Sequence, residues 1–478
     1  MKLHLARWVV SELPVGWEAG RFGDIVSIIR GVTFPASSKI YERSDDVIAC
    51  LRTSHIQDKL TWDNIYFIPK HFVRKEEQIT LRNDILMSMA NSSNLVGKVC
   101  INDSDSAACF GAFLAAIRCN EINFKYVYHF LRSADTQAKL RASASQTVNI
   151  ANISVNELEK LEIPLPPLAE QERIALALDL QLSQTDAIKA RITSVSMLLS
   201  KFRQSVLASS LSGQLTRTWR RENPLPASSR NDIAKLSLAW GWQDLPDSWD
   251  VEIYCQVVQS RLGKMLDKAK NTGISTRYLG NINVRWNSFD LEDLQEIRVS
   301  QEELRDLEVK KGDVLICEGG EPGRCAVWSQ DDSGIVYQKA LHRARTSDRV
   351  LPQFLAFSLK NDADNNSLSQ LFTGSTIKHL TGSALKNYPL RLPPVSEQIE
   401  IIARVEQLFA MVDHLEAKVA TAKQRIDALT QSLLAKAFRG ELTPQDPNDE
   451  PASVLLERIR AQRAAAPKPK RGRKAAKN

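Results

Sequence analysis

The chain has 478 residues, 43% of them hydrophobic and 25% charged, the balance of a soluble protein with several packed cores rather than one. Its formal charge of +7 permits a polyanionic partner without demanding one. No apolar run is long enough for a signal peptide or a membrane span, and the seven cysteines form neither a CxxC pair nor a zinc-like spacing with the seven histidines. Scattered buried thiols and a cytoplasmic location are expected.

In chain order, Leu13-Pro14-Val15-Gly16-Trp17 opens a mixed segment. Short apolar stretches such as Asp84 to Met89 predict strands between Asn, Ser and Gly loops, and Tyr126 to Leu131 predicts a short helix. At Leu165-Pro166-Pro167-Leu168-Ala169-Glu170-Gln171 the pattern changes. A Pro-Pro pair followed by Glu suits a helix start, and Gly213 sits where a C-terminal cap belongs. Between them Ile174, Leu178, Gln181, Thr185, Ile188, Ile192, Val195, Leu199, Phe202 and Val206 alternate steps of four and three, a coiled-coil seam. A polar connector over 214–244 follows.

The chain then repeats itself. Leu245-Pro246-Asp247-Ser248-Trp249 reopens the pattern, Asp313 to Cys317 reads as a strand, and Phe354 to Leu359 reads as a helix. Leu392-Pro393-Pro394-Val395-Ser396-Glu397-Gln398 returns 227 positions after its first copy, and the helix segment needs no gap. Its seam is Ile401, Val405, Leu408, Val412, Leu415, Val419, Ala422, Ile426, Leu429 and Leu433, ending near Gly440. The tail over 441–478 is Pro-rich and then basic, with Lys468, Lys470, Arg471, Arg473, Lys474 and Lys477 and an end expected to be disordered.

These readings predict an α+β chain with a pseudo-twofold internal repeat. Mixed α/β domains at 1–164 and 245–391 are separated by long antiparallel coiled-coil helices at 165–213 and 392–440. Each helix would span about 65–70 Å, close to two turns of B-DNA. Such a rod suits a bipartite DNA site with an unread spacer.

Loop residues able to reach base edges or phosphates are the candidate readers, Arg favouring guanine and Asn or Gln favouring adenine. In the first domain they are Arg52, Thr53, Ser54, His55, Asn91, Ser92, Ser93, Asn94, Lys98, Ser145, Gln146 and Thr147. In the second they are Asn281, Asn283, Arg285, Trp286, Glu318, Arg324, Ser375, Thr376, Lys378 and His379. Each could equally be an ordinary solvated loop residue. Glu170, Gln171, Glu397 and Gln398 either cap their helices or dock partners.

No chemistry of the chain's own is legible. The Pro-Pro pairs are flanked by aliphatic residues, unlike the base-holding motif of an adenine methyltransferase, and no GxxxxGK[ST] loop occurs. Asp446, Asp449 and Glu450 lie among prolines and read as solvated tail. Neither a catalytic nor a metal site is expected. A self-sufficient DNA-modifying enzyme and a coiled-coil scaffold without DNA binding remain the alternatives.

The doubled Leu-Pro-Pro-Leu/Val-x-Glu-Gln before each long helix, with Leu-Pro-x-x-Trp before each variable segment, resembles the specificity subunit of type I restriction enzymes over nearly the whole chain. Ile29-Arg30-Gly31-Val32-Thr33 and the run Leu433 to Thr443 resemble the enterobacterial group of that family. The resemblance implies that each variable segment is a target-recognition domain for double-stranded DNA. It also implies that the helices dock two methyltransferase subunits and that translocating restriction subunits complete the complex. S-adenosylmethionine, ATP and Mg2+ would belong to those partners, with no cofactor on this chain.

Overall fold

A computed structural model describes residues 13–146, 150–228, 240–242, 245–267, 271–331 and 333–465. The chain divides into two compact units, Met1–Arg191 with Ala422–Asn478, and Ile192–Thr421.

In the first unit, strand Glu18–Arg21 pairs antiparallel with Glu162–Leu165, so the two ends of the variable segment are hydrogen-bonded together. Between them lies an antiparallel sheet in the order Ser27–Arg30, Leu114–Arg118, Ile85–Ser88, Val99–Ile101. A second sheet runs Tyr66–Pro69, Val47–Leu51, Ala108–Phe110, its first pair antiparallel and its second parallel. Helices Phe124–Arg132 and Ala134–Ser143 follow, each capped at its start, by Asn123 and Ser133.

The second unit repeats this order of pairings. Asp250–Ile253 pairs with Pro389–Leu392. The four-stranded sheet is Val258–Leu262, Leu341–Thr346, Val314–Cys317, Cys325–Val327. The mixed sheet is Gln295–Val299, Ile274–Leu279, Val336–Tyr337. Pro352–Asp364 is its longer helix after the sheets.

Corresponding side chains hold the two frames. Asp84 accepts from the Leu81 amide at 2.8 Å and from Arg118 Nε and Nη2 at 2.8 and 2.7 Å. Asp313 does the same with the Lys310 amide at 2.8 Å and with Arg345 at 2.7 and 3.1 Å. Both carboxylates are buried, where a bidentate arginine offsets the cost of desolvation. At Gly31 and Gly263 a Cβ would lie 2.2 Å from a carbonyl oxygen, of Gly111 and Tyr337 respectively, so only glycine allows the strands to approach.

Leu168–Leu211 and Val395–Phe438 are continuous helices of 44 residues each, and Gly213 and Gly440, at φ of +74° and +73°, turn the chain beyond them. Within the first unit Lys189 pairs with Asp427 at 2.9 Å. Within the second, Arg203 pairs with Asp413, and with Glu416 at 3.0 Å.

Of the expected seam, Ile174, Leu178, Leu199, Ile401, Val405 and Val412 are buried, while Ile192, Val419 and Ile426 are half-buried. Ile188, Phe202, Leu415 and Leu429 are exposed by 36–48%, which departs from the expectation. Near the helix ends the packed mixed domains decide which face is covered. Leu182 is therefore buried where the heptad named Gln181, and Leu434, Ala437 and Phe438 join the core that holds Ile174 and Leu178.

The tail differs from its reading as solvated chain. Ala452–Ala465 is a helix whose Leu455, Leu456 and Ile459 enter the first unit's core. Arg463 donates to the carbonyls of Gly23 and Val26 at 2.6 and 2.7 Å, and Asp449 pairs with Arg173 at 2.6 Å. The apolar run Val454-Leu455-Leu456 followed by Ile459 was the available signal. The basic residues from Lys468 onward lie outside the described residues.

Candidate nucleic-acid interface

Each reading frame is fastened to its long helix by the repeated Trp, Glu and Gln. Trp17 Nε1 donates to Glu170 Oε2 at 2.8 Å, and Trp249 Nε1 donates to Glu397 Oε2 at 2.9 Å. Gln171 donates to the Pro166 carbonyl and accepts from the Asn123 amide; Gln398 donates to the Pro393 carbonyl and accepts from the Leu351 amide. All four Glu and Gln side chains are buried, so they present no surface to a partner, and the docking expectation for them is corrected. Burial raises the pKa of Glu170, opposed by the Trp17 hydrogen bond.

In the first unit three loops meet. Arg52-Thr53-Ser54-His55 forms a tight turn in which His55 Nδ1 accepts from the Arg52 amide at 3.0 Å and Nε2 faces the Asp63 carbonyl at 3.1 Å. Burial, then the neighbouring Arg52, lower the His55 pKa, keeping it neutral at pH 7. Gln57 joins this turn to the next loop, donating to the Ser54 carbonyl at 2.8 Å and accepting from Lys98 Nζ at 2.9 Å. Asn91 begins that loop, and Ser92, Ser93 and Asn94 are exposed on it. The third loop arrives by strand pairing, because Ala90–Asn91 pairs with Ala151–Asn152, which pairs with Ser145–Gln146.

The second unit assembles the same three loops from other residues. Asn283 takes the place of His55, accepting from the Gly280 amide at 2.8 Å and donating to the Asp290 carbonyl at 3.1 Å. Asn281 donates to the Gly319 carbonyl at 3.0 Å, and Arg324 donates to the Asn281 carbonyl at 2.9 Å and to Glu321 at 3.0 Å. Glu318 accepts the Leu380 amide at 2.7 Å, while Thr373 and His379 pair across a hairpin whose tip exposes Ser375, Thr376, Ile377 and Lys378. Trp286 donates to Glu321 at 2.6 Å, and Arg285 is exposed beside Asp290.

Two expected readers change role. His55 and Asn283 are buried and spend their polar atoms on the backbone, so they shape the first loop of each unit and do not face outward. Thr147 lies outside the described residues. Conversely, the same loops expose single apolar side chains that composition did not single out, Leu95 in one unit and Ile282 and Ile377 in the other. An isolated apolar residue inside an Asn/Ser loop was the signal for them; such groups suit the thymine methyl.

Among the described residues no group of three His, Cys, Asp or Glu is placed to hold a metal ion, and no helix is long and apolar enough to cross a membrane.

Residues 14–196 and 257–424 match the model of the type I restriction modification DNA specificity domain. The chain is 31% identical over 479 residues to the type I restriction enzyme EcoKI specificity subunit of Escherichia coli (strain K12), covering 97% of this chain and 99% of that one. It is 31% identical over 492 residues to the StySPI specificity subunit of Salmonella potsdam, with the same two coverages. A solved chain from work on complex assembly and conformational transition of the type I R-M system is similar in fold. It has a TM-score of 0.62 at 18% identity, over 90% of this chain and 99% of that chain.

Proposed function

The chain belongs to the type I restriction modification DNA specificity family, and on that premise we propose that its two loop faces each read one half of a bipartite, asymmetric site in double-stranded DNA. It acts as the specificity subunit of a type I restriction–modification complex in the cytoplasm. The observation that carries this reading is the same three-loop assembly built twice on unlike side chains. One frame with two outward chemistries suits two different half-sites.

Within this reading Arg52, Lys98, Arg285, Arg324 and Lys378 supply phosphate or guanine contacts. Asn91, Asn94, Ser145 and Gln146 read the first half-site, and Asn281, Ser375, Thr376 and His379 read the second. The two long helices form an antiparallel coiled coil, the axis of a pseudo-twofold repeat, and their length sets the spacing of the half-sites. Leu176, Leu180, Met197, Leu198, Ile399 and Met411, each more than half exposed, make the helices' apolar surface for two methyltransferase subunits. S-adenosylmethionine, ATP and Mg2+ serve those subunits and the restriction subunits, and this chain contributes recognition without catalysis.

Incubating the purified chain with DNA and labelled S-adenosylmethionine, with and without methyltransferase subunits, tests the assignment. Methylation confined to the reconstituted complex, with a footprint protecting two separated half-sites, is the expected result. Methyl transfer by the chain alone, or a single continuous contact, contradicts it.

A further inference from the structure

The internal repeat supplies a control for a feature that only one unit carries. In the first unit, helix Phe124–Arg132 packs on the long helix through side chains that fill the junction. Lys125 Nζ and His129 Nε2 reach the two oxygens of Asp179 at 2.6 and 2.9 Å, and Tyr128 is buried beside them with Arg132 over its ring at 5.1 Å. The hydrogen bonds from Asn123 to Gln171 and from Leu351 to Gln398 fix the register between units. Lys125, Tyr128 and His129 therefore correspond to Gln353, Ala356 and Phe357. Asp179, nine residues after the latch glutamate, corresponds to Glu406.

At that same junction the second unit has a cavity of about 400 Å³, walled by Trp328, Phe357 and Phe409 and bordered by Gln353, Ala356, Glu406 and Lys311, the last paired with Asp331 at 3.2 Å. Tyrosine is replaced by alanine and the lysine by a neutral amide, while the carboxylate is kept. Among the described residues Glu406 forms no ion pair, whereas Asp179 pairs with Lys125 and also meets His129. The second unit's own equivalent of Arg132, Lys360, is turned to the Trp286 ring at 5.0 Å instead.

We propose that this cavity is a socket for a partner protein's segment carrying an aromatic side chain next to a lysine or arginine. The ring enters the slot that Tyr128 fills in the first unit, and the cation meets Glu406 as Lys125 meets Asp179. Aromatic walls and one unpaired carboxylate recognise a ring with a positive charge by burial, by edge contacts and by Coulomb attraction.

The test is titration of the full-length chain with a capped Lys-Ala-Ala-Tyr peptide, whose spacing copies Lys125 and Tyr128, against its Glu-Ala-Ala-Tyr counterpart. Saturable binding of the lysine peptide with Kd of about 0.1–1 mM is expected, as suits a small ligand in a preformed apolar slot. The glutamate peptide should bind about two- to fivefold more weakly, the scale of a partly exposed ion pair. Ala356→Tyr should abolish binding of both. Glu406→Gln and Gln353→Lys, at exposed positions where folding is not at issue, should erase the preference for lysine. Absence of binding, equal affinity for the two peptides, or a preference that survives Glu406→Gln overturns the proposal.

Discussion

Replacing Glu397 by alanine removes one carboxylate and strands three donors. In the second unit Glu397 accepts from Trp249 Nε1 at 2.9 Å, from Thr216 Oγ1 at 2.6 Å and from Arg220 Nη1. The carboxylate is fully buried and Arg220 is only 18% exposed, so water does not readily replace what is lost. Removing one member of a buried pair costs about 3–5 kcal/mol, because the remaining charge stays desolvated. Glu397→Gln keeps an acceptor for the indole but still leaves the Arg220 charge unpaired, so it should recover only about 1–2 kcal/mol of that loss, the worth of the retained hydrogen bond. Hydrogen exchange locates the effect. Amide protection in the ribbon of Asp250–Ile253 with Pro389–Leu392 should fall about 10²–10⁴-fold for alanine, since each 1.4 kcal/mol is tenfold. Protection in the first unit's ribbon, Glu18–Arg21 with Glu162–Leu165, should stay unchanged. Equal loss in both ribbons, or none in either, would refute the view that each glutamate latches its own reading frame.

Three further outcomes follow from named contacts. Glu170 has a folded pKa raised above 4.5, so the folded unit holds that proton more tightly than the unfolded chain and its contribution falls as pH rises from 4.5 through the raised value. Glu170→Gln should therefore flatten that part of the pH–stability curve, and a curve as steep as wild type contradicts the assignment. Ending the chain after Glu450 removes Leu455, Leu456 and Ile459 from the first core. At about 1.5–3 kcal/mol per buried side chain, the first unit should lose up to about 4.5–9 kcal/mol in urea titration while the second is unaffected. Inserting seven residues near Ile192 keeps the heptad phase and should lengthen the tolerated spacer, read from the methylated sites of the reconstituted complex; an unchanged spacer removes the helices as its determinant.

Much of the frame was legible because its anchors are whole residues that recur. The Trp and Glu-Gln motifs recur in the sequence, which reads the Glu-Gln pairs as caps or docking groups, and in the structure two donor–acceptor latches occupy those positions. Asp84 and Asp313, each opening a predicted strand, are buried carboxylates that pair with an arginine on the neighbouring strand in their own unit. What stayed hidden depends on tertiary partners. His55 and Asn283 perform one task with different side chains, so neither composition nor identity reveals that both face inward. The seam was drawn through Gln181, but the reader body covers Leu182, a choice that periodicity within one helix cannot make. The helix at Ala452–Ala465 was masked by its polar surroundings, since only its contact with the first core gives its apolar residues a face. The reading loops were legible as clusters. Their convergence was not, because it rests on Gln57 and Glu321, which carry no signal of their own.

The measurement closest to the central claim is exchange of residues 13–160 for the corresponding segment of a family member with a different target, followed by mapping of methylated sites with the reconstituted complex. The account predicts a hybrid site in which one half is new, the other half is retained and the spacer is unchanged. Simultaneous change of both halves would mean that the two loop faces do not read independently.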